Sequence, residues 1–110
     1  MKKALLIVHH YKPEKDKLWG SLATDYATSD MIKNIADLFP DYDWRPATIA
    51  EARQILRKFD IDRLLLVPML KEYAEELDAY PDVHVDCLTP DIYGKISKPP
   101  FAFLRKEYLN

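Results

Sequence analysis

Cysteine is nearly missing from this chain: Cys87 is the only one in 110 residues. An internal disulfide is therefore excluded, and the usage suits a reducing compartment. An excess of basic residues is missing too. Sixteen Lys and Arg stand against eighteen Asp and Glu, a formal net charge of −2. Binding to nucleic acid by bulk electrostatics is not expected, since no cationic surplus exists to displace counterions. No apolar run approaches the roughly 18–20 residues of a membrane span, so direct membrane insertion is not expected. Met1-Lys2-Lys3 leads into only five apolar residues, too few for a signal-peptide core, and no small-residue cleavage site follows. A cytoplasmic protein is the expectation. Repeats, low-complexity tracts and linker-like composition shifts are lacking as well, so residues 1–110 read as one domain with enough chain to bury a core.

What the chain does have is a short apolar run ending in two histidines, Lys3–His10. Ala4–Val8 is uniformly apolar, as expected of a strand buried on both faces. In open α/β sheets the ligand crevice lies beyond the carboxyl ends of the strands. His9 and His10 would stand there.

Tyr11–Thr28 is polar and irregular, long for a connection that usually takes about 2–6 residues. Its Leu18, Trp19, Leu22 and Tyr26 predict that it packs somewhere, with Tyr11, Trp19 and Tyr26 as a lid on the crevice, a partner surface or a stabilising tuck. A first helix is expected from Ser29, capped by Thr28 or Ser29 with Asp30 at the positive end of its dipole, its apolar face Met31, Ile32, Ile35, Ala36 and Phe39. Tyr42–Arg45 reads as a short strand closed by Pro46. Thr48-Ile49-Ala50-Glu51 matches a capping box, followed by the stripe Ile49, Ala52, Ile55, Leu56 and Phe59. Arg63–Val67 is a second doubly buried strand ended by Pro68. Leu70, Tyr73, Ala74 and Leu77 mark a third helix. Val83–Leu88 alternates like a strand near a sheet edge, with Cys87 expected in the core beside Val83 and Val85, and with His84 and Asp86 placed to pair on the other face. Pro90–Lys98 reads as a loop. Pro99-Pro100 would open a terminal helix with Phe101, Leu104, Tyr108 and Leu109 inward. Strands alternating with helices imply right-handed crossovers and a parallel sheet: an α/β fold.

Four stretches together resemble the IIB component of the lactose/cellobiose (chitobiose) branch of the bacterial sugar phosphotransferase system. They are Lys2–Val8, Ala27-Thr28-Ser29-Asp30-Met31, Asp62–Pro68, and Val83-His84-Val85-Asp86 followed by Ile92-Tyr93-Gly94-Lys95-Ile96. The resemblance covers most of the chain outside Tyr11–Tyr26. It implies a single flavodoxin-like domain with a four-stranded parallel sheet of order 2-1-3-4. It also implies a phosphocarrier role in sugar uptake, with a IIA-like phosphoryl donor and a membrane IIC-like component as partners. In the family a cysteine at the end of the first strand accepts the phosphoryl group. Here His9 holds the matching position, and the loop after it is longer.

Imidazole is nucleophilic near neutral pH and carries covalent intermediates elsewhere, so His9 is the candidate phosphoryl acceptor and His10 the alternative. Backbone N–H groups around Thr28, Ser29 and Asp30, at a helix amino terminus, are the candidate phosphate cradle. Tyr11, Lys12, Asp91 and Tyr93 are candidate rim residues for substrate or partner. Lys12, Lys15 and Lys17 add positive charge that Glu14 and Asp16 offset. Adjacent histidines on a strand point to opposite faces. A shared zinc site with Glu14 or Asp16 is therefore not expected, and no cofactor is. Two other readings stand beside the carrier: a IIB-like binding or regulatory module without transfer chemistry, and a small-ligand-binding α/β domain.

Overall fold

A computed structural model describes residues 1–14 and 19–97. The expected terminal helix from Pro99 lies outside these residues, as do Lys15, Asp16, Lys17 and Leu18.

The sheet is built from β1 (Lys2–Ile7), β4 (Tyr42–Ala47), β5 (Arg63–Leu66) and β6 (His84–Cys87). All its pairings are parallel and the order is β4-β1-β5-β6. Numbered among the sheet strands alone, that is the order 2-1-3-4 of a flavodoxin-like fold. The two central strands are the two continuous aliphatic runs. Ala4, Leu5, Leu6 and Ile7 are wholly buried, as are Leu64 and Leu66, because helices cover both faces.

The helices α1 (Tyr26–Leu38) and α4 (Pro90–Ile96) lie together, joined by the Asn34 side-chain amide donating to the Ile96 carbonyl at 2.9 Å. The opposite layer holds α2 (Ile49–Lys58) and α3 (Ala74–Asp78), tied by a two-pronged Arg53–Glu76 ion pair. Right-handed crossovers require this split. The chain leaves β1 toward β4 through α1, then turns back across β1 to β5 through α2. The point of reversal is the gap between β1 and β5 at their carboxyl ends.

Thr48 and Glu51 form the expected capping box, with the Thr48 N–H donating to Glu51 Oε1 at 3.0 Å and the Glu51 N–H donating to Thr48 Oγ1 at 3.2 Å. Other boundaries differ from expectation. The long segment after β1 carries a small antiparallel ribbon, β2 (Pro13–Glu14) with β3 (Leu22–Ala23). Helix α1 begins at Tyr26 rather than Ser29, because Asp25 is its cap. Strand β4 runs through Pro46 to Ala47. The Val8 N–H donates to the Ala47 carbonyl, which puts the backbone groups of the odd residues toward β1. Pro46, the even neighbour, turns its ring nitrogen to the outer edge, where no ladder donor is needed. The third helix is split into a 3-10 turn, Pro68–Tyr73, and α3. Pro90–Ile96 is a helix and not a loop, with Pro90 in its first turn and Thr89 Oγ1 accepting from the Ile92 N–H at 3.2 Å. Cys87, expected in the core, is exposed: it ends a strand that has no neighbour outside it among the described residues.

Candidate functional site

His9 directly follows the buried Val8 and is exposed, as is His10. Their rings meet edge to face, with centroids 5.5 Å apart. Two clefts flank this strand end and share Val8 and His9. One lies on the α1 and α4 side of the sheet, with a volume of about 230 Å³. The other, about 340 Å³, lies against the start of α2 and the 3-10 turn, with Thr48, Arg53, Leu70 and Tyr73 in its wall. His9 is thus the ridge between them, at the switch point of the sheet.

The first cleft brings together four of the residues singled out from sequence: His9, His10, Thr28 and Tyr93. Its base is apolar, with Val8, Met31 and Val67 all buried. Met69, 64 % exposed, stands in its wall. The other candidates lie elsewhere. Ser29 and Asp30 do not line the cleft; the Ser29 N–H donates to the Asp25 carbonyl at 3.0 Å within the helix. Asp91 is exposed in the first turn of α4. Lys12 is exposed, and its backbone N–H donates to Asp25 Oδ1 at 2.9 Å. Among the described residues no cluster of His, Cys, Asp and Glu is arranged to hold a metal ion.

Asp25, not anticipated as a site residue, defines the chemistry of the cleft. Its Oδ2 accepts from the Thr28 N–H at 3.0 Å while Oδ1 accepts from Lys12. Partial burial opposes its ionised form, but hydrogen bonds from the Lys12 N–H, the Thr28 hydroxyl and the Thr28 N–H outweigh this. They hold the carboxyl down at about 2, from an ordinary 3.8. Asp25 is therefore a fixed negative charge at the place where a helix amino terminus would receive an anion. The sequence signal was present, since Asp25 stands three residues before Thr28, but Thr24, Thr28, Ser29 and Asp30 compete as capping types in the same stretch.

Among the described residues of the long connection, Tyr11 and Trp19 are anchored away from this cleft, while Asp25, Ala27 and Thr28 line it. The Tyr11 hydroxyl donates to Glu51 Oε2 at 3.0 Å, and its side chain also bonds Ser21. Burial, aided by the Glu51 charge and despite the Ser21 bond, pushes the phenol up to about 12. Trp19 stacks on the Arg45 guanidinium, 5.2 Å from its ring centroid, on the β4 side of the fold. Tyr26 is 88 % exposed beside the cleft residues Asp25 and Ala27. At the other edge, His84 Nε2 meets Asp86 Oδ2 at 3.0 Å, as the shared strand face predicts.

No helix among the described residues is long and apolar enough to cross a membrane. Set against family models, curated proteins and solved structures, the chain gives no significant match to any of them.

Proposed function

We propose that the chain is a binding module on a IIB-like frame, working through the switch-point cleft beside His9 without carrying a phosphoryl group. One observation carries this reading: the Asp25 carboxylate occupies the N–H groups of Thr28 and Lys12. A phosphoryl group on His9 would find the Thr28 N–H already taken and would meet a fixed like charge beside it. The cytoplasm is the compartment that goes with this role.

The carrier reading has its own support in the exposure of His9 at the switch point, the position from which a IIB-like protein acts. On that reading the partners are a IIA-like phosphoryl donor and a membrane IIC-like component. The two readings separate in a phosphorylation assay. The protein is incubated with phosphoenolpyruvate, the two general phosphotransferase proteins and IIA proteins of several classes, then weighed intact. An unmodified mass throughout is the expected result. Acid-labile phosphate that disappears in His9→Ala would establish the carrier.

A further inference from the structure

Among the described residues lining the cleft of His9, His10, Thr28 and Tyr93, Asp25 carries the one permanent charge, and it is negative. No lysine or arginine is among these described residues; the polar wall is Asp25, Thr28, the Tyr93 hydroxyl and the two imidazoles. The Asp25 carboxylate accepts from the Lys12 N–H, the Thr28 N–H and the Thr28 hydroxyl. A carboxylate offers about four lone-pair sites, so these bonds take most of its acceptor capacity and leave its charge as the attraction for a cation. The base, Val8, Met31 and Val67, is buried and apolar. Tyr93 and Met69 add an aromatic ring and a polarisable thioether to the wall, both favourable neighbours for a cation or an aromatic body.

Size narrows the class. At about 230 Å³ the cleft falls below the range of about 300–1,000 Å³ typical of drug-sized ligands. A single ring or a short aliphatic chain fits within that space; a larger ligand would extend beyond it. Sign narrows it again. An anionic ligand would face Asp25 with no basic side chain among the described lining residues to offset it, whereas an ammonium group is attracted to Asp25 while its hydrocarbon body displaces water from the apolar base.

We infer that this cleft takes a small organic cation: a primary amine with a compact aromatic or aliphatic body, its ammonium on Asp25 and its body over Val8, Met31 and Val67. The inference rests on the binding-module reading and adds the chemical class of ligand.

Three isosteric probes test it: benzylamine, benzyl alcohol and benzoate. They are titrated into the full chain and followed by amide and methyl chemical shifts. Benzylamine is expected to give saturable shifts at His9, His10, Thr28, Met31 and Met69, with benzyl alcohol weaker and benzoate without effect. Asp25→Asn keeps a good helix cap while removing the charge. It is expected to weaken benzylamine on the order of tenfold, the scale of a lost charge-assisted hydrogen bond, and to leave benzyl alcohol unchanged. Equal binding of amine and alcohol, or an undiminished amine affinity in Asp25→Asn, would overturn the cation assignment and leave the cleft as a binding site. Silence from all three probes would overturn the assignment as well. Phosphate recovered on His9 in the phosphorylation assay would overturn the underlying reading separately.

Discussion

The phenol of Tyr11 and the carboxylate of Glu51 meet at 3.0 Å across forty residues of sequence. Glu51 serves twice, since its other oxygen closes the capping box of α2 on Thr48. The contact pins Tyr11 to the start of α2.

Tyr11→Phe removes this bond and leaves Glu51 with its Thr48 contacts. The expected cost is about 1 kcal/mol, read from urea unfolding, with faster amide exchange at the Lys12–Thr24 contact, where the Thr24 N–H donates to the Lys12 carbonyl at 2.8 Å. An unchanged midpoint and exchange pattern would show that the contact does not hold the segment.

Tyr11 also sets an alkaline signature. Its folded pKa lies at about 12 against an ordinary 10.0, chiefly through burial. A raised folded pKa stabilises the native state below the unfolded value, and that contribution is lost as pH climbs from about 10 toward 12. Ultraviolet titration of wild type against Tyr11→Phe is expected to show one tyrosine whose ionisation is delayed until the protein unfolds.

Asp25 works in the opposite direction at acid pH. Its folded pKa is lowered to about 2 from 3.8, so its contribution is present above about pH 4 and is lost as pH falls toward 2. Thermal melts across this window are expected to fall more steeply for wild type than for Asp25→Asn, which has no proton to take up.

Gly20 sits where a Cβ would come within 3.3 Å of both Cβ and Cγ of Arg45. Replacing glycine by alanine ordinarily stabilises by about 0.4–1 kcal/mol where the backbone permits it. Arg45 has little freedom to withdraw, because its guanidinium stacks on Trp19 and pairs with the Asp43 carboxylate. Overpacking of about 1–3 kcal/mol outweighs the entropic gain, and Gly20→Ala is expected to lower the urea midpoint.

Cys87 is exposed on the β6 edge. A thiol reagent is expected to modify it fully in the native state, at a rate that mild denaturant does not accelerate. Modification that requires unfolding would return it to the core.

The parts of the fold legible in the sequence were those with one dominant local signal. Ala4–Val8 and Leu64–Val67 are uninterrupted aliphatics, which only a doubly covered strand accommodates. Thr48 and Glu51 satisfy each other's backbone and fix the start of α2 without outside help. Boundaries failed where signals competed or where the answer depended on position in the sheet. Five capping-type residues crowd Thr24–Asp30, and the choice of Asp25 turns on a tertiary bond from Lys12. Pro46 reads as a strand end unless its strand is known to be an edge. Cys87 alternates correctly with Val85, but alternation does not say whether that face is covered. Pro90 follows Thr89 in a cap-then-proline pattern that starts a helix, and the proline alone suggested a loop. The cleft brings together His9, His10, Thr28 and Tyr93, which were singled out in the sequence by their place relative to β1, α1 and β6. Met69 and Asp25 were not, since one follows the break at Pro68 and the other lay inside a segment read as irregular.

The most direct test of the account is a titration of the full chain with inorganic phosphate at neutral pH, reading the amide shifts of Ala27 and Thr28. With Asp25 already on the Thr28 N–H, no saturable shift is expected in wild type. Saturable shifts there, together with a response at His9, would contradict the account and return the helix amino terminus to its role as a phosphate cradle.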